Sequence, residues 1–192
     1  MSTASTDPAQ ADAAPAAALP ARVLVKVNIP FLAIAGRLDV FDCDGTLRFA
    51  VRSRGVGSGS IAFQEPDMRS PSLHATGSQV GRLDIDYPLV GRGGGTLGVL
   101  HAHGNGNAES VVYKYDYTDG AGQRHRIDFI HGLRSKFILR RSNGAPWLVA
   151  RQRDVILGKR WVVEAPNGIE DAEADALMPP LLLVVYLERA LK

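Results

Sequence analysis

Val40-Phe41-Asp42-Cys43-Asp44-Gly45-Thr46-Leu47 can be read in two incompatible ways, and the choice between them decides the fold. Read as chemistry, an apolar run delivers a pair of carboxylates: Asp42 would attack phosphorus, Asp44 would protonate the leaving group, and both would help hold magnesium. That reaction needs a parallel strand ending at Asp42, then a loop and the helices of a doubly wound fold. Read as structure, the same residues are a β-hairpin whose strands meet at Asp44-Gly45, a pair suited to the positive φ of a tight turn.

The flanks favour the hairpin. Leu47, Phe49 and Val51 alternate with Thr46, Arg48, Ala50 and Arg52, so a strand continues where the phosphoryl-transfer motif needs a loop. Upstream, Val23, Val25, Val27 and Ile29 fall on one strand face, and Val111, Tyr113, Tyr115 and Tyr117 do so further on. Similar short strands are predicted at Leu83–Tyr87, Thr96–Ala102, Arg126–Ile130, Lys136–Arg141, Trp147–Arg153, Asp154–Leu157 and Arg160–Glu164, with Trp147 and Trp161 in the core. The punctuation agrees: Asp119-Gly120 and Asn143-Gly144 repeat the Asp44-Gly45 signal between strand-like runs, while Asn167-Gly168 leads into a helix. A faint echo, Gly36-Arg37-Leu38-Asp39-Val40 against Gly81-Arg82-Leu83-Asp84-Ile85, fits a meander of similar units.

Only the last segment reads as a helix. Glu170, Asp171, Glu173 and Asp175 suit a helix N-terminus, and Pro179 and Pro180 can sit in a first turn. The run Leu181–Leu187 that follows is apolar on every side, so it must be buried on every side. The apolar stretch Ala176–Leu187 is shorter than the ~20 residues of a membrane span and contains two prolines.

Composition sets the outer limits. The chain has 192 residues, 45% hydrophobic and 22% charged, which suits one soluble domain with a sizeable core. Its single cysteine, Cys43, excludes an internal disulfide framework and a cysteine-based metal cluster. Residues 1–21 read as a disordered tail rich in Ala and Pro, ahead of a single domain over 22–192. No charged start followed by an apolar stretch marks a secretory signal, so the expected compartment is the cytoplasm, with peripheral attachment to a membrane.

Many short strands plus one fully apolar C-terminal helix predict a mainly β fold, an antiparallel barrel closed around that helix. From Val23 onward the chain resembles the tubby C-terminal-like superfamily, in its LURP-one-related and phospholipid-scramblase-like branch. The features that carry the resemblance are hairpins such as Leu38–Phe49 and the terminal Leu181–Leu187 run. The resemblance implies a barrel of about twelve strands threaded by a hydrophobic helix, and a role in binding anionic phospholipid or phosphoinositide. The chain departs from animal scramblases in having one cysteine and no acidic loop to match their calcium site. The opening motif itself resembles that of haloacid dehalogenase-like, magnesium-dependent phosphatases, with Lys159, Glu170, Asp171 and Asp175 in the order of that family's lysine and later metal-binding acids. Between Leu47 and Glu170, however, no window has a helical period.

Two further signals are weak. Gly93-Gly94-Gly95-Thr96-Leu97-Gly98 satisfies a dinucleotide fingerprint, but no helix can open there before Gly104, so it reads as a loop between strands. His101 and His103 share a strand face and could hold a transition metal, yet no third ligand declares itself and they read as surface residues. No cofactor is expected. The stronger signal is charge. Arg134, Lys136, Arg140, Arg141, Arg151 and Arg153 belong to a basic stretch from Arg124 to Arg160 that holds only Asp128 and Asp154 in return. With no exposed aromatic set interleaved, this pattern points away from nucleic acid and toward anionic lipid or a protein partner. The expected module is non-catalytic, with Asp42 and Asp44 as the nucleophile and acid of the phosphatase alternative.

Overall fold

Alternating side chains make the longer strands one-sided, and twelve of the thirteen strands hide their apolar faces by curling around one core. A computed structural model describes residues 21–30, 36–54, 59–68, 70–107, 110–132, 134–154 and 160–190. The strands are β1 (Ala21–Asn28), β2 (Arg37–Phe41), β3 (Leu47–Ser53), β4 (Ser60–Gln64), β5 (Leu73–Thr76), β6 (Ser78–Gln79) and β7 (Ile85–Gly91). They continue as β8 (Thr96–Asn107), β9 (Ser110–Asp119), β10 (Arg124–Ile130), β11 (Lys136–Arg140), β12 (Pro146–Gln152) and β13 (Arg160–Pro166). A 15-residue helix, α1 (Asp171–Val185), follows and ends in a π turn, Tyr186–Ala190.

Every pairing is antiparallel. Chain neighbours are also sheet neighbours, except that β1 pairs with β13 and β5 with β7. The β5–β7 ladder, Leu73 opposite Gly91 and Ala75 opposite Leu89, closes twelve strands into a ring and leaves the two-residue β6 attached to β7 alone. Closure removes the unpaired edges that an open sheet would present. One face of each strand points inward, for example Val25 and Val27 on β1, Leu38 and Val40 on β2, and Phe137 and Leu139 on β11.

The helix fills that interior. Leu181, Leu182, Leu183, Val184, Val185 and Tyr186 are each 0% exposed. At 100° per residue, six successive residues point in every direction around a helix, so only a surrounding wall can cover them all. They form one core cluster with residues from all twelve ring strands. Burying each such side chain is worth roughly 1.5–3 kcal/mol relative to exposure.

Several expectations need correction. The helix begins at Asp171, so Pro179 and Pro180 lie inside it rather than in its first turn. Proline removes its own N–H bond to the carbonyl four residues back, here those of Asp175 and Ala176. Both of those residues are exposed, where water can take the bond. The strand placed at Leu83–Tyr87 is β7, Ile85–Gly91, and residues 81–84 of the sequence echo precede it. Strand β8 runs five residues past the expected end at Ala102, to Asn107, and β4, β5 and β6 lie where no strand was expected. Strand β1 starts at Ala21, the last residue assigned to the tail. Most of the expected strand Asp154–Leu157, together with Lys159 and residues 1–20, lies outside the described residues. Trp161 is buried as expected, whereas Trp147 is half-buried. Among the described residues no helix is long and apolar enough to cross a membrane.

Val184→Asp would leave an unpaired charge inside the wall, a change costing at least 3–5 kcal/mol by analogy with broken buried ion pairs, roughly half or more of a small domain's stability. Thermal unfolding followed by circular dichroism should lose its cooperative transition. Val184→Ala should keep the transition at a lower Tm, and an unchanged Tm for Val184→Asp would mean that the residue is not enclosed.

Candidate functional site

The Asp42–Thr46 motif joins β2 to β3 as a five-residue hairpin turn. Asp42 N–H donates to Thr46 O at 2.9 Å, Gly45 N–H donates to Asp42 O at 3.1 Å, and Gly45 has φ +94°. The same pair of bonds recurs at residues 91–95, 119–123 and 141–145, with Gly94, Gly122 and Gly144 at the positive-φ position. All four are type I turns followed by a glycine bulge, the loop that lets a hairpin close without splaying its strands. The phosphatase-like motif and the glycine-rich Gly93–Gly98 segment are thus two copies of one turn. In the third copy the positive φ falls on Gly122, not on Gly120 of the expected Asp119-Gly120 pair.

Within this turn the two carboxylates have separate tasks. Asp44 Oδ1 accepts the Thr46 N–H at 3.0 Å, and Thr46 holds the Asp44 carboxyl below its ordinary range. It is therefore ionised at neutral pH, the opposite state to a resting proton donor. Asp42 lies 3.8 Å from Arg48, which in turn reaches Asp175 of the helix at 2.8 Å. Two further arginines grip the same helix start. Arg22 pairs with Asp171 at 2.6 Å and donates to Ile169 O, while Arg141 pairs with Glu173 at 3.1 Å. Trp147 Nε1 also donates to Glu173, and the Arg141 guanidinium sits 5.0 Å from the Trp147 ring centre. The acids that suit a helix N-terminus thereby fasten it to β1, β3 and the β11–β12 turn. At the other end Tyr186 donates to Gly36 O at 3.2 Å and Tyr115 to Glu188 at 2.7 Å.

The basic residues share the outer face of β11, β12 and β13, but several are already paired. Arg140 meets Asp128 at 2.5 Å, and Arg141 is at the helix mouth. Arg151 and Arg153 each take one oxygen of Glu164 at 3.2 Å, a carboxylate with only 9% side-chain exposure. Arg134 is exposed beside β11. Lys136 stands directly opposite Arg151, and Glu164, which holds Arg151, offsets the repulsion between the two cations.

Beyond Arg153 the outer face dips into a groove of about 540 Å³ between β13, β1 and β2. Val23, Phe41 and Val162 give it apolar side chains, and Lys26, Arg153 and Arg160 supply cations, with no carboxylate in the lining among the described residues. Lys26 donates to Cys43 O at 2.6 Å and keeps two further N–H groups. Sequence reasoning passed over Lys26 because its place beside Arg160 depends on the pairing of β1 with β13.

The histidines sit elsewhere. His101 contacts Asp86 at 2.7 Å and Thr118 at 3.0 Å, and His103 lies 3.4 Å from Asp116, which Arg124 also holds. Among the described residues no group of three or more His, Cys, Asp or Glu side chains is placed to hold a metal. No family model, curated protein or solved structure matches the chain.

If the turn at 91–95 has the geometry described, Gly94→Ala should lower stability by about 1–2 kcal/mol, because alanine is strained at φ +82°. Gly95→Ala meets nothing within 4 Å at an ordinary φ and should be neutral or stabilising by up to about 1 kcal/mol in urea unfolding. Equal losses in both would rule the turn out. A pH test comes from Asp119: burial raises its carboxyl, but the bonds from His125 and from the N–H groups of Gln123 and Ala121 outweigh this and hold it below its ordinary range. Its contribution is therefore full at neutral pH and is lost as pH falls through the carboxylate range. The Tm gap between the parent and Asp119→Asn should narrow between pH 7 and pH 2.

Proposed function

We propose that this domain is a non-catalytic, tubby-like module of the LURP-one/scramblase-like kind that docks on anionic phospholipid or phosphoinositide at a membrane surface. The observation that carries the reading is the groove between β13, β1 and β2, which combines the apolar side chains of Val23, Phe41 and Val162 with Lys26, Arg153 and Arg160 and has no acid in its lining among the described residues. An amphiphile with a negative head fits both halves of that lining: the head is attracted by the cations, and the hydrocarbon covers Phe41 and Val162. Arg134, Lys136 and Arg151 extend the basic surface along the same face, and each charge close to an anionic bilayer adds about 1 kcal/mol. The fold supports the assignment, since a closed ring of twelve strands with a buried C-terminal helix is what the tubby-like resemblance implies. A rigid barrel also means that docking needs no ordering of the scaffold.

Flotation with phosphatidylcholine vesicles containing phosphatidylserine or a phosphoinositide should show binding that weakens as salt rises. Reversing Arg153 and Arg160 to Glu should abolish it. Glu164→Gln, which releases Arg151 and Arg153 from their shared carboxylate, should strengthen it several-fold, as expected for one added charge. Absence of binding at low salt would overturn the lipid reading. Phosphoester hydrolysis that disappears in Asp42→Asn would replace it with the phosphatase reading.

A further inference from the structure

The helix leaves one part of the interior unfilled, at the end marked by its π turn. Ala102 stands in one row of the wall between Ile85 and Tyr115, and its single methyl leaves a cavity of about 180 Å³ against Leu187 and Glu188. Three tyrosines line the space, Tyr87 on β7 and Tyr113 and Tyr115 on β9. The ring centres of Tyr113 and Tyr115 are 6.3 Å apart and the rings are inclined at 35°, so they make two walls of a corner rather than a closed stack. Tyr115 is buried, whereas Tyr87 and Tyr113 are only partly so, which leaves a way in past the latter two.

The charge of the lining is one-sided. Glu188 is its one carboxylate, and no Lys, Arg or His among the described residues lines it. Tyr115 donates its O–H to Glu188 at 2.7 Å. Burial first, and then that bond, push the Tyr115 hydroxyl far above its ordinary range, so it stays a neutral donor that pins ring and carboxylate together. The face of an aromatic ring carries the negative part of its quadrupole, so three rings and a carboxylate repel an anion and attract a cation. Which cation follows from the acceptors. Glu188 is engaged by Tyr115 and by a further interaction, so the ligand must not depend on taking that carboxylate for itself. A primary ammonium would bring three N–H donors to satisfy. A quaternary ammonium brings none, and it spreads its charge over methyl groups that rest on ring faces. We propose that this cavity binds the quaternary ammonium head of a compound of the choline class, either free or as a lipid headgroup. It shares no lining residue with the groove between β13, β1 and β2, so it does not rest on the docking of anionic lipid.

Titrating the full chain with choline chloride, with tyrosine ring resonances followed by NMR, tests it. Saturable shifts are expected at Tyr87, Tyr113 and Tyr115. The neutral isostere of choline, with carbon in place of nitrogen, should bind roughly tenfold more weakly, as expected for loss of a desolvated cation–π contact. Tyr113→Phe keeps the ring and should stay within about threefold of the parent, while Tyr113→Leu should fall roughly tenfold. Tyr87→Leu supplies the same readout should Tyr113→Leu fail to fold. Reversing Arg153 and Arg160 to Glu should leave choline binding unchanged even where it abolishes vesicle binding. Flotation with pure phosphatidylcholine vesicles separates the two sources. Flotation that free choline competes off assigns the lipid head, and no flotation assigns the free compound. No saturable shifts, shifts confined to other residues, equal binding of the neutral isostere, or full affinity in a folded Tyr113→Leu variant would each overturn the proposal.

Discussion

A helix with no polar face has no stable place on a protein surface, and the rest of this architecture answers that constraint. Leu181–Tyr186 needs a wall in every direction. A flat sheet covers one side, and two packed sheets cover two; a closed ring covers all. Closure depends on two joins that skip along the chain, β1 with β13 and β5 with β7. The first ties distant parts of the chain together, and the helix that completes the core follows β13 in sequence. Such non-local assembly must lose much chain entropy before it gains contacts, which places folding at the slow end for a domain of this size. The arginines at the mouth then fix the depth of insertion, because Arg22, Arg48 and Arg141 come from separate parts of the rim and all meet acids in the first turns of one helix.

The same dependence explains why Asp42-Cys43-Asp44-Gly45-Thr46 imitates an active site. A type I turn with a glycine bulge favours a short polar side chain that can accept a backbone N–H, then glycine, then a residue suited to begin a strand. Asp44, Gly45 and Thr46 meet those needs, and Asn143, Gly144 and Ala145 meet them again, with Asn143 accepting the Ala145 N–H at 3.1 Å. Asp42 adds an outward carboxylate toward Arg48. Each choice has a local structural cause, so the five letters carry little information about chemistry unless a parallel strand leads into them.

What was legible in the sequence was whatever is local. Period-two alternation marked the long strands, Asp-Gly and Asn-Gly pairs marked three of the turns, and the unbroken Leu181–Leu187 run marked the buried helix. Ser60–Gln64 and Leu73–Thr76 escaped because each is short and flanked by Gly, Pro and Ser, whose loop signal outweighs so few alternating residues. The helix start escaped because a Pro-Pro pair ordinarily stops a helix, whereas here the freed carbonyls sit on exposed residues. Around the candidate site, the list of arginines was readable but their state was not. Glu164, Asp128 and Glu173 reach them from other elements, and those partners are set by strand register rather than by spacing. Lys26 joins the groove only once β1 lies beside β13.

Native-state hydrogen exchange followed residue by residue tests the enclosed helix most directly. If the ring surrounds it, the amides of Leu182–Tyr186 can exchange only when the barrel opens, so they should share one opening free energy with β4, β5 and β7 and lose protection together with them as denaturant rises. Helix amides that exchange through a separate, lower-energy opening while the strands stay protected would contradict the account, because a helix able to leave alone is not enclosed.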